Sequence, residues 1–227
     1  MREIVFDTES TGLDPRGGDR LVEIGCVELV NHIPTGRVFH TYVNPQRQVS
    51  SGAYEVHGLS TTFLADKPTF AQIADGFIDF VEEDILIAHN APFDTGFLNM
   101  ELGRLDRPPI AEARVIDTLA LARRKHPAGP NSLDALCGRY GIDKSRRVKH
   151  GALLDAELLA EVYIELIGGK QAHMSFDQAA GRSGLAGAGP AAARPEPLPP
   201  RLTAEEAAAH EAFIETLGSD ALWKRFL

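Results

Sequence analysis

The chain has little cysteine: two in 227 residues, Cys26 and Cys137. Both lie within apolar patterns, which predicts buried thiols and excludes a disulfide framework or a cysteine-based zinc site. No apolar run approaches the roughly 18 residues that a membrane span needs. The start, Met1-Arg2-Glu3-Ile4-Val5-Phe6, enters a strand-like pattern at once and does not read as a secretory leader. A cytoplasmic protein with no membrane contact is the expectation. Positive charge is also scarce: 23 Lys and Arg against 32 Asp and Glu leave a net charge of −9. That excludes a bulk electrostatic DNA binder, which neutralises phosphates with clustered cations. The basic residues gather instead in two islands, Arg123-Arg124-Lys125-His126 and Lys144-Ser145-Arg146-Arg147-Val148-Lys149-His150. On charge alone these read equally as solvated loops or as phosphate contacts. Carboxylates clustered around metal ions would lower the formal charge without repelling a phosphate once the ions are bound.

What is present is enough for a core, since 44 % of the residues are hydrophobic. From about residue 2 to residue 169, strand and helix signals alternate. Ile4 to Thr8 reads as a strand. Arg20 to Val30 and Arg37 to Val43 read as two more, joined through the turn-prone segment Asn31 to Gly36 as a hairpin. Phe70, Ile73, Phe77 and Phe80 have helical spacing. Ile85 to His89 reads as a buried strand, and Pro92 to Leu105 as a helix with proline in its first turn. A short strand at Arg114 to Ile116 precedes helices at Thr118 to Lys125, Leu133 to Tyr140 and Ala152 to Ile167. Three consecutive strands followed by alternating helices and strands predict an α/β fold, a mixed sheet with helices on its faces.

The composition changes after Gly168-Gly169. Residues 177–200 are dominated by Ala, Gly and Pro and read as a flexible linker. Order signals return in residues 201–227. Thr203 with Glu206 three residues later has the form of a capping box, and a helix follows to Leu217, with Gly218 as its stop. The end, Ala221-Leu222-Trp223-Lys224-Arg225-Phe226-Leu227, carries the one tryptophan of the chain. A segment this small cannot bury those groups itself, so a helical docking tail is expected, with a tail that folds back on its own domain as the alternative.

Five polar residues stand where apolar patterns predict burial. Asp7 and Glu9 are two apart on a predicted strand, so their side chains share a face. By itself Asp-x-Glu is more often an acidic strand end, but Ile4-Val5-Phe6 suggests a central strand, and Thr11-Gly12-Leu13 supplies a loop through which backbone can approach a ligand. Asp94 follows Pro92-Phe93 at a helix start, where the macrodipole alone would explain it. Asp155 precedes Leu159, Val162 and Leu166 by four, seven and eleven positions, which places it on the core-facing stripe of its helix. His150 lies just before it in a loop, and a histidine titrates near neutrality and can take a proton from water. A buried carboxylate is costly unless paired or bound to a cation. Several that converge suit a hard divalent ion.

In this order, Asp-x-Glu, Asn-x-x-Phe-Asp and His-x-x-x-x-Asp resemble the DEDDh 3′–5′ exonucleases, which have a ribonuclease H-like fold. Within that family the chain is most similar to the branch that proofreads for bacterial DNA polymerase III, through Asn131-Ser132-Leu133-Asp134-Ala135-Leu136-Cys137, His150-Gly151-Ala152-Leu153-Leu154-Asp155-Ala156 and Val56-His57-Gly58. The resemblance implies an exonuclease domain over residues 1–170 that hydrolyses 3′-terminal nucleotides with two Mg²⁺ or Mn²⁺ ions. It implies that Asp7, Glu9 and Asp155 hold the metal at the scissile phosphate, that Asp94 serves the second ion, and that His150 is the general base. Thr8, Thr11, Leu13 and His57 would contact the terminal nucleotide. The family has an acid near the position of Gly52, so a further substrate contact from that loop is not expected here. Gln171-Ala172-His173-Met174-Ser175-Phe176 resembles a clamp-binding motif, an extended peptide in which Met174 and Phe176 enter an apolar pocket and Gln171 fixes orientation. The implied partners are a DNA 3′ end, the β sliding clamp through residues 171–176, the polymerase III α subunit through the tail with Trp223, and a small accessory subunit. An exonuclease for RNA 3′ ends would need neither motif, linker nor tail. A non-catalytic clamp–polymerase adaptor would have no use for the buried acids.

Overall fold

The computed structural model describes residues 1–145, 147, 149–168 and 203–217. The expected clamp motif at 171–176, the linker at 177–200 and the end of the tail with Trp223 lie outside the described residues. The chain divides into two compact units, Met1–His173 and Met174–Leu227. In the second, the described part is one helix, α8 (Ala204–Thr216), which begins at the expected capping box: the Thr203 hydroxyl accepts from the Glu206 N–H, and the Glu206 carboxylate accepts from the Thr203 N–H.

The first unit is built on a five-stranded sheet in the order β3-β2-β1-β4-β5. Its strands are β1 (Arg2–Ser10), β2 (Leu21–Val30), β3 (Ile33–Tyr42), β4 (Ile85–Ala88) and β5 (Val115–Asp117). β1, β2 and β3 form an antiparallel meander, while β4 and β5 continue parallel to β1. This is the mixed sheet that the sequence predicts, and β1 is its centre. Ile4 and Phe6 point into one core, closed by Phe70 and Phe77 of α3 (Phe70–Val81) and by Phe97 and Leu98 of α4 (Ala91–Gly103). Val5 points to the other face, against Ala156, Leu159 and Tyr163 of α7 (Ala152–Leu166). Helices α5 (Thr118–Lys125) and α6 (Leu133–Tyr140) extend that second layer, where Ala122, Leu136 and Cys137 meet Leu158 and Val162. Both cysteines are free and buried. No helix among the described residues is long and apolar enough to cross a membrane.

Two parts of the sequence reading need correction. The hairpin turn is two residues, not six: Asn31 and His32 both have positive φ, 51° and 64°, and β3 starts at Ile33 rather than Arg37. That is the primed geometry whose twist matches the flanking strands. Pro34 and Gly36, which read as turn residues, fit because β3 is an edge strand and its register slips between Val27 and Leu29. Two short helices were also not anticipated, α1 (Ser51–His57) and α2 (Thr61–Leu64). They are too short to show periodicity. Their signals are local: Ser50 and Ser60 cap the starts, and Gly58 ends α1 in the left-handed conformation at φ 75°.

One close approach sets the position of α7. Gly25 of β2 pairs with Asp7 of β1. A Cβ at Gly25 would lie 2.2 Å from the Leu153 nitrogen and 2.3 Å from the Ala152 carbonyl carbon. Backbone atoms cannot give way as a flexible side chain can, so only glycine lets the start of α7 rest on the sheet. We expect Gly25→Ala to lift the first turn of α7, lowering stability by about 1–3 kcal/mol as overpacking does. Thermal unfolding would show this as a melting point lower by several degrees, together with loss of divalent-cation binding; an unchanged melting point would refute it.

Candidate active site

The geometry follows from the alternation of β1. Asp7 and Glu9 share the face that carries Val5, the face on which α7 packs. Asp155 lies in the first turn of α7, buried, on the stripe with Leu159, Val162 and Leu166. Gly25 lets that turn come down beside Asp7. Asp94 lies in the first turn of α4, and one of its oxygens accepts both the Thr8 N–H (3.0 Å) and the Thr8 hydroxyl (2.6 Å). His150 sits in the loop before α7, where its N–H donates to the Val56 carbonyl at 3.3 Å. Three carboxylates and this histidine (Asp7, Glu9, Asp94 and His150) line one cavity of about 770 Å³. Asp155 adjoins it, its Oδ2 3.2 Å from His150 Nδ1.

Four carboxylates so close in a buried place repel one another. Burial pushes Asp7 well above the usual carboxylate range, and the charges of Asp94, Glu9 and Asp155 push it further. Burial also raises Glu9, to about 8, with Glu23, Asp155 and Asp94 adding to it. Asp94 rises to about 7 through burial, against the two hydrogen bonds from Thr8 that favour its charged form. Asp155 is the exception. Burial acts to raise it, but His150 and Arg147 outweigh burial and hold it below its ordinary value.

The donor set fits a hard divalent cation. Glu9, His150 and Asp155 each offer a ligand atom, all within 4.8 Å of one another. One oxygen of Glu9 is buried with no hydrogen-bond partner among the described residues. Carboxylate oxygens suit a hard divalent cation, and an imidazole at the rim admits a borderline metal such as zinc as well.

The residues expected at the substrate behave differently from one another. Leu13 is 83 % exposed at the cavity wall, and Thr8 lines it with its hydroxyl already given to Asp94. Thr11 is not brought to the cavity: it is buried, its hydroxyl donates to Asp19 at 2.9 Å, and it accepts from the Arg20 N–H, so it braces the loop between β1 and β2. His57 lines the cavity, but both ring nitrogens serve the main chain. Nε2 is 3.2 Å from the Ser10 carbonyl, which can only accept, and Nδ1 accepts from the Leu59 N–H at 3.0 Å. Burial lowers its pKa, so it is a neutral ring that offers its face and edge. Gly52 lines the same wall and has open space where a side chain would stand.

Two participants escaped the sequence reading. Glu23 is buried on β2 directly opposite Glu9 and is met by His40 Nε2 at 2.7 Å. Its signal was the one that exposed Asp7, an acid inside an apolar strand, Leu21-Val22-Glu23-Ile24. Arg147 belongs to the second basic island, yet its side chain is only 8 % exposed. Its guanidinium grips both oxygens of Asp155 and also reaches Asp134 of α6 at 2.8 Å. In the first island, Lys125 caps α7 instead, donating to the carbonyls of Glu165 (2.7 Å) and Leu166 (3.0 Å).

Comparison with known proteins agrees with this geometry. The family model described as Exonuclease matches residues 4–163. A DNA polymerase III subunit epsilon from Rickettsia conorii is 55 % identical over 174 residues, 75 % of this chain and 76 % of that protein. The protein of the same name from Escherichia coli K12 is 44 % identical over 239 aligned positions, 98 % of this chain and 97 % of its own. Among solved structures, the nuclease domain of 3′hExo, a DEDDh family member bound to rAMP, superposes with a TM-score of 0.63 at 20 % identity, over 74 % of this chain and 92 % of that one. That likeness establishes the ribonuclease H-like exonuclease fold. The chain therefore belongs to the DNA polymerase III epsilon-subunit family of 3′–5′ exonucleases.

Proposed function

We propose that this chain is the proofreading exonuclease of a replicative DNA polymerase in the cytoplasm. It would remove 3′-terminal nucleotides of DNA with two divalent cations, Mg²⁺ or Mn²⁺, and with His150 as general base. The observation that carries this is the convergence of Asp7, Glu9, Asp94 and Asp155, drawn from a central strand and two helix starts, beside one histidine. Asp7, Glu9 and Asp155 would hold the cation at the scissile phosphate and Asp94 would serve the second. Bound there, divalent cations supply charge neutralisation for the phosphodiester and a water ionised near neutral pH. The chain's own residues do the rest. With His150 Nδ1–H donating a hydrogen bond to Asp155 Oδ2, Nε2 is left free to accept a proton from the attacking water. His57 and Leu13 offer apolar surface to the terminal nucleotide. Residues 171–176 would bind the sliding clamp, and residues 201–227 the polymerase α subunit, with a small accessory subunit as a further partner. Attachment to the polymerase is supported by the near full-length match to the Escherichia coli subunit.

Three outcomes are expected. Purified full chain with Mg²⁺ should shorten end-labelled single-stranded and mispaired DNA from the 3′ end, and His150→Ala should slow this by about 10²–10⁴-fold, the range of general-base loss, while divalent-cation binding survives. Degradation of RNA alone, or an undiminished rate in the variant, would overturn the assignment.

Cation binding should also depend on pH. Glu9, raised to about 8, and Asp94, raised to about 7, keep protons that a cation must displace. Affinity for Mn²⁺ or Mg²⁺ should therefore rise with pH through that window, and calorimetry should detect proton release. The metal-free fold should move the other way. It binds more protons than the unfolded chain between the ordinary and the raised values, so its stability falls as pH rises there. A cation affinity that stays flat between about pH 6 and about pH 9 would contradict both statements.

Removing residues 201–227 should abolish co-elution with the polymerase α subunit and leave hydrolysis of single-stranded DNA unchanged. Retained association would place the docking surface elsewhere.

A further inference from the structure

Arg147 is the one strong cation inside the acidic cluster among the described residues, and its attachments are specific. Nε and Nη2 take the two oxygens of Asp155 in a fork, the second at 2.6 Å. Nη1 is held at 2.8 Å by Asp134. Nη2 also stands 2.8 Å from His150 Nδ1. The same Nη2 lies 3.3 Å from Nε2, and Nδ1 is also 3.2 Å from Asp155 Oδ2, so the guanidinium crowds the edge of the ring that faces the carboxylate. Arg147 thus engages two groups at once, a carboxylate expected to hold a cation and the imidazole expected to act as base.

From this geometry we infer that Arg147 is a tethered counter-ion that occupies Asp155 and His150 while no divalent cation is bound, and that a cation must displace it to assemble the site. The inference rests on the metal reading given above. Its physical basis is that a carboxylate kept ionised in a low-dielectric place needs a positive partner. Asp155 already has one, the bidentate guanidinium, whereas Glu9 keeps an unpartnered oxygen. Asp134 is the pivot: it lies on α6, outside the cavity, and keeps the arginine near after release. Arg147 is here a positioning residue. It competes with the cation for Asp155 and, once displaced, no longer crowds the His150 edge that faces that carboxylate.

The test is calorimetric titration of the full chain with Mn²⁺ in the absence of DNA, with thermal unfolding of the chelator-treated protein as a second readout. R147Q should bind Mn²⁺ about tenfold or more tightly, since a charge-assisted fork no longer has to open. The same variant should melt lower without cation and gain more on adding it. R147K keeps the charge but loses the fork, and should fall between the two. Equal or weaker Mn²⁺ binding by R147Q would show that the arginine supports the site rather than competing for it, and would overturn the inference. If R147Q does not fold, R147K decides: affinity no greater than that of the unaltered chain overturns it. Failure of the unaltered chain to bind any divalent cation would instead defeat the metal reading itself.

Discussion

How near a helix can come to a sheet decides whether this site exists. Asp7 and Glu9 are fixed by the pleat of β1, but they are two acids on one strand until Asp155 arrives from α7. The missing side chain at Gly25 permits that arrival, because the backbone at Ala152 and Leu153 occupies the space where a Cβ would be. The glycine sits directly across from Asp7 in the ladder. The strand pairing that positions one carboxylate therefore also opens the gap that admits another. Asp94 reaches the same place from the opposite layer, and Thr8 clasps it with two hydrogen bonds to one oxygen.

Much of this was legible from the residues. The order of strands and long helices came from periodicity, since β1, α3 and α7 bury apolar stripes that acids interrupt only at the site and at Glu3. The convergence of Asp7, Glu9, Asp94 and Asp155 was legible as a combination, each an acid where its neighbours predict burial, whereas His150 is exposed in its loop. What escaped had physical reasons. Helices α1 and α2 are shorter than the pattern needed to see them, and only their serine caps announce them. The hairpin turn was read too long because Pro34 and Gly36 are as acceptable on an edge strand as in a turn. Thr11 was expected at the substrate and instead braces Asp19, a choice between two hydrogen-bond partners that sequence spacing does not encode. Arg147 was hidden by its company: four of the seven residues of its island are basic, and nothing in the spacing says which of them turns inward.

The electrostatics of the site follow from crowding more than from any single pair. Three of its four carboxylates hold their protons above the usual range, while the fourth, beside Arg147 and His150, is held below it. Glu23 extends the crowd by one strand, with His40 beside it as a partner. The fold thus supports a concentration of like charge that no isolated segment would tolerate, and the large apolar cores on both faces of β1 are what oppose that repulsion.

His57 divides the cavity into two kinds of wall. In the same cavity as the ionisable groups stands an imidazole whose nitrogens are both taken by main-chain atoms, of Ser10 at the end of β1 and of Leu59 just after α1. Such a ring can neither gain a proton readily nor rotate without breaking two hydrogen bonds. The carboxylates and His150 therefore vary with ions and acidity, while the ring of His57 keeps one orientation and no charge. Whatever touches that ring meets it as shape, a surface that salt and pH leave unaltered.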